Sequence, residues 1–124
     1  MSGEPPEIGS CEDTTIACRD VRFCVVRKGG GWRLVAVHYV YRGIPVSAYM
    51  STVVDPQNRS FFIKTMMLYR LGLVDCVVAL FRSLGIEVGR EEVEERYASA
   101  EGYARASARA WSRIRRAWST HTEP

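Results

Sequence analysis

One change of period constrains this chain more than any other feature. Before Asp55-Pro56 the apolar residues alternate, and after it they recur every three or four positions. Val21 to Lys28 places Val21, Phe23 and Val25 on one side and Arg22, Cys24 and Val26 on the other, which is the mark of a strand. Gly29-Gly30-Gly31 can close a hairpin. Trp32 to Arg42, rich in Val and Tyr, reads as the next strand. Gly43-Ile44 suits a type II′ turn, with Pro45 opening a third strand to Val54. With that turn Tyr41 faces Val46, Tyr39 faces Ala48 and His38 faces Tyr49. A slip of one residue would turn every side chain to the other face.

Asn58 or Ser60 can cap the helix that follows. Ser60 to Leu84 is apolar nearly all round, with a thin stripe of Gly72, Asp75, Ala79 and Arg82. This is the pattern of a covered central helix, about 59–84, which Gly72 could divide and Gly85 ends. Asp75 is expected to be buried and paired with Arg82, Arg96 or Arg105. A second helix, about 90–118, begins at Gly89 or Arg90 after a short, strand-like Ile86–Val88. Glu91, Glu92, Glu94 and Glu95 lie in its first turns and Arg105 to Arg116 toward its end, which suits the macrodipole.

The fold class expected is therefore α+β: a three-stranded antiparallel meander over about 21–54, then the two long helices. With 124 residues the chain makes one domain. Residues 1–13 read as a mobile acidic leader, 14–119 as the domain and 120–124 as a tail.

Charge is segregated. Residues 21–54 carry Arg22, Arg27, Lys28, Arg33 and Arg42 with no acid, and residues 102–118 carry five arginines with none. The overall formal charge is only +3, which argues against a general DNA-packaging role. Four cysteines without a C-x-x-C pair and two histidines give no metal site, and no cofactor is expected. The cysteines read as reduced, structural thiols in a cytoplasmic protein, with Cys11–Cys18 or Cys18–Cys24 as the alternative in a hyperthermophile. Lys64, Arg70, Asp75 and Arg82 interrupt the apolar run. Each costs about 2.5–3.5 kcal/mol at a bilayer centre, so no membrane span is expected and no membrane partner.

His38 with Ser47, Ser51 and Tyr49 invites a catalytic reading, but no carboxylate stands between Val21 and Val54 to orient the imidazole. No catalytic residue is assigned. Two surfaces remain. In the last helix Tyr97, Ala104, Trp111 and Trp118 recur every seven residues, with Ala100, Ser107 and Ile114 between them. Such a seam suits a homo-oligomer or a protein partner. Its acid-to-base charge order favours an antiparallel dimer along 90–118. The second surface is a nucleic-acid site built from Arg27, Lys28, Trp32 and Arg33 at the hairpin, with Arg109, Arg113 and Arg116 on the helix. The reading favoured is a small non-enzymatic assembly or adaptor protein, with the nucleic-acid module as its alternative.

Overall fold

Alternation and turn chemistry produce a meander of four strands in the computed structural model, which describes the backbone of residues 14–122 and the side chains of residues 14–118. The strands are β1 (Thr14–Cys18), β2 (Val21–Lys28), β3 (Gly31–Tyr41) and β4 (Ile44–Val53), antiparallel in the order β1-β2-β3-β4. The expected meander lacked β1. Its signal is brief: five residues, Thr-Thr-Ile-Ala-Cys, closed by a tight Arg19-Asp20 corner. The acidic leader proposed for residues 1–13 lies outside the described residues.

Both longer hairpins turn on two residues with positive φ, Gly29-Gly30 and Arg42-Gly43. These are type I′ geometries, whose twist matches the strands they join. The β3–β4 loop is thus Arg42-Gly43, not Gly43-Ile44. Tyr39 pairs with Val46 and His38 with Ser47, two residues away from the expected register. From Ala36 to Tyr41 a shift of two preserves parity, so the faces survive although the partners change; beyond a bulge between Leu34 and Ala36 the shift is one, and Leu34 pairs with Thr52.

The expected helix over 59–84 is three pieces: α1 (Arg59–Lys64), α2 (Met66–Arg70) and α3 (Val74–Ser83). Asn58 caps α1, its side chain accepting from the Ser60 amide at 3.2 Å. At the first break the Thr65 hydroxyl bonds back to the Phe61 carbonyl at 2.8 Å and leaves the helical path. At the second, Gly72 adopts φ +75°. Leu73 N–H then reaches the Leu68 carbonyl and Gly72 N–H the Tyr69 carbonyl, a Schellman closure. Gly85 repeats it after α3, with Ile86 bonded to Phe81 and Gly85 to Arg82. Ile86–Val88 is not a strand. The last helix, α4, runs Arg90–Thr122, longer than expected.

The core lies between one sheet face and the helices. Phe23, Val25, Leu34 and Val37 meet Phe61, Phe62, Leu68, Leu80 and Phe81, all essentially buried. Cys18 and Cys76 form a disulfide between the end of β1 and the first turn of α3. This corrects the expectation of reduced thiols and both expected pairings. Cys24 is also disulfide-bonded. Asp75, next to Cys76, is half-exposed and pairs with Arg19, so the buried pair with Arg82, Arg96 or Arg105 is not formed. The sequence left open whether Gly72 divides the helix and set Asp75 on its thin polar stripe. The fresh start of α3 at Val74 sets Asp75 in an exposed first turn, where a carboxylate suits the helix dipole.

Candidate interaction surface

α4 has two environments along one seven-residue spacing. Ala and Arg are good helix formers, and Arg90–Glu94, Arg96–Glu92 and Arg105–Glu101 are ion pairs one turn apart. At 33 residues the helix is about 50 Å long.

The first half is core. Val93, Tyr97 and Ala100 are buried against α1, α2 and α3. The Tyr97 ring stacks on Tyr69 at 5.1 Å and meets Phe62 edge-on at 4.9 Å. Its hydroxyl shares a 2.7 Å hydrogen bond with Thr65 Oγ1, and burial holds the phenol far above its ordinary titration range. Tyr97 is therefore consumed by its own domain and presents nothing to a partner. At the boundary Arg59 sits over the Tyr103 ring at 4.2 Å, and Glu101 lies between Arg70 and Arg105.

From Arg105 to Trp118 no residue is buried. Trp111, Ile114 and Trp118 are 61%, 44% and 69% exposed. Ala104 is partly covered at the root of this projecting segment. An open groove of about 300 Å³ lies there, lined by Ile63, Met66, Arg70, Ala104 and Ala108. Of the five seam residues, the structure thus leaves Trp111, Ile114 and Trp118 outside, Ala104 at the edge and Tyr97 inside. The charge-matched overlap along 90–118 is closed off, because the acidic half of α4 already lies on the body.

The basic hairpin is divided. Arg27 and Trp32 pair across the strands, with the guanidinium 5.2 Å from the indole centre. Trp32 packs against the core, so its ring is not a free stacking platform. Lys28 precedes the turn and is exposed. Arg33 pairs in register with Val26 and Val53 and donates to Ser51 Oγ at 3.1 Å. Arg109, Arg113 and Arg116 recur at helical spacing on α4, where Arg116 donates to Ser112 Oγ.

On the outer sheet face Ala17, Arg22, His38 and Ser47 form one row across the four strands. His38 Nδ1 and Ser47 Oγ share a 2.8 Å hydrogen bond, and Tyr49 meets the ring edge-on. Burial, then the nearby Arg22 charge, pushes the imidazole below its ordinary pKa. A neutral imidazole beside a hydroxyl is half of a nucleophilic pair. Nε2 meets no partner among the described residues, so no carboxylate orients the ring there. Among the described residues no group of three metal-ligating side chains occurs, and no helix is long and apolar enough to cross a membrane.

No protein family, no curated protein and no solved structure matches the chain.

Proposed function

We propose that the chain is a non-enzymatic assembly protein, self-associating or acting as a subunit of a larger complex, and that the projecting half of α4 is its working element. One observation carries this reading. Trp111, Ile114 and Trp118 share one stripe of α4, and among the described residues all three stay largely exposed. Exposed aromatic stripes of this size raise the free energy of a lone chain in water, and covering them recovers it. The test is native mass over a range of concentration. Wild-type protein should be larger than one chain, and a Trp111→Ala/Trp118→Ala variant should return to 14.0 kDa.

A nucleic-acid reading rests on a different observation: residues 102–118 carry five arginines and no acid. Phosphate contacts would make binding fall steeply with salt. A gel shift at two salt concentrations tests it, and substitution of Arg109, Arg113 and Arg116 by Ala should weaken any shift without changing the native mass. The assembly reading is preferred because the hairpin's aromatic, Trp32, is already packed. A cytoplasmic location remains our proposal. The Cys18–Cys76 bond then calls for the oxidising interior that hyperthermophiles maintain.

A further inference from the structure

We infer that the occupant of the projecting stripe is the same stripe of a second copy, laid antiparallel, with Trp118 of each copy at the groove beside Ala104 and Ala108 of the other. This deepens the assembly reading and rests on it.

The side of the helix comes first. Val93, Tyr97, Ala100 and Ala104 mark the edge of α4 that meets the body. Trp111 and Trp118 follow Ala104 at seven-residue steps, and a straight helix drifts by only about 20° per step. The exposed stripe therefore continues the packed edge beyond the body, where a second helix can lie along it. It would continue the interface that α4 already makes with α1 and α2.

Charge comes second. With Trp111 and Trp118 at a and Ile114 at d, the flanking positions are Tyr103, Ala108, Ala110, Arg115 and Ala117. Arg109, Arg113 and Arg116 fall on the outer side, while Arg105, paired with Glu101, lines the groove. Two stripes brought together thus meet mostly apolar groups and Ala, with three of the five arginines pointing away. Across two helix diameters those charges lie beyond the screening length of about 8 Å at physiological salt.

Direction comes third. In a parallel pair each body would occupy the space needed by the first half of the other helix. In an antiparallel pair the bodies stand at opposite ends and only about fifteen residues of each helix overlap, roughly 22 Å. Setting Trp111 against Ile114 of the second copy puts Trp118 against the small Ser107. That position adjoins the groove, whose lining joins Ile63, Met66, Ala104 and Ala108 to the charged Arg70, Glu101 and Arg105. Large residues then face small ones in successive layers. The same register brings Ala108 beside Arg115 of the second copy, which a parallel pair would not do.

Sedimentation equilibrium of the full chain, with intact disulfides, tests this. Wild-type protein should show a monomer–dimer equilibrium, and Trp118→Ala should weaken it by about tenfold or more. Ala110 and Ala117 lie outside that groove, and the same register sets them side by side across the pair. Ala110→Lys/Ala117→Glu should tighten the dimer by roughly two- to fivefold, and Ala110→Lys/Ala117→Lys should loosen it by a similar factor. Ala106→Lys/Ala117→Glu, with the same net charge but one partner on the outer side, should do neither. An equal response of Ala106→Lys/Ala117→Glu and Ala110→Lys/Ala117→Glu would overturn the antiparallel geometry while leaving self-assembly in place. A wild-type chain that stays monomeric to roughly 0.1 mM, a Kd range already weak for a stable pair, would overturn the second copy. The assembly reading would then hold only for a different protein partner.

Discussion

The body and the projecting half of α4 are built from one helix and one spacing, yet they obey different rules. In the body, Tyr97 is fully enclosed among Phe62, Tyr69 and Thr65. Seven and fourteen residues beyond Ala104, Trp111 and Trp118 occupy the same seam and touch mostly water. Identical periodicity thus marks a core in one place and an unfilled interface in the other. An apolar stripe states that something must cover it, and only the third dimension says whether the cover is inside the chain.

The sharpest way to break this contrast is to truncate both ends of the seam. Tyr97→Ala should destabilise the chain by about 3–5 kcal/mol in denaturant unfolding, through the cavity it leaves among Phe62, Tyr69 and Thr65. The Cys18–Cys76 bond belongs to the same rigid half. It closes a loop with a sequence separation of 58, so its loss in a Cys18→Ser/Cys76→Ser variant should cost about 4 kcal/mol on the chain-entropy account. Disulfide-intact and variant proteins compared by urea unfolding would show this. The projecting half should not feel the change, and the wild-type native mass should persist wherever the variant remains folded.

A smaller effect separates the regions by pH. The His38 pKa is lowered in the folded state, so the unfolded chain binds the extra proton first as pH falls. Stability is then complete above the unfolded value near 6.5 and declines as pH drops below it. His38→Gln should flatten that slope in unfolding curves recorded from about pH 7 to 5. Trp111, Ile114 and Trp118 themselves carry no group that titrates in this range. The smallest expected effect is on the monomer itself. Trp111→Ala or Trp118→Ala, measured at a concentration where the chain is single, should change stability by less than about 0.5 kcal/mol. A loss as large as that of Tyr97→Ala would mean the tryptophans pack on the body, and the contrast would collapse.

Much of this was legible from particular residues. Val21, Phe23 and Val25 announced β2, and Gly85 announced the end of α3. The site was legible in part. Trp111, Ile114 and Trp118 stood out by spacing alone, whereas Tyr97 looked identical and belongs to the core. Thr65 looked like one more helical residue, because its break depends on a hydroxyl that meets both Phe61 and Tyr97. β1 was missed because five residues with one large apolar side chain carry almost no periodic signal.

The amino-acid order by itself determined where sheet gives way to helix, which side chains share a face along most of β2 and β3, and where the two longer hairpins turn to within a residue or two. These are local properties, set by backbone sterics, glycine and the alternation of polar and apolar groups along a few residues. Tertiary structure decided the rest: that Cys18 meets Cys76, that Arg19 meets Asp75, and that α4 passes from core to solvent near Ala104. Each of those depends on groups far apart in the chain arriving at one place. Burial is a property of the assembled whole, and no window of neighbouring residues contains it.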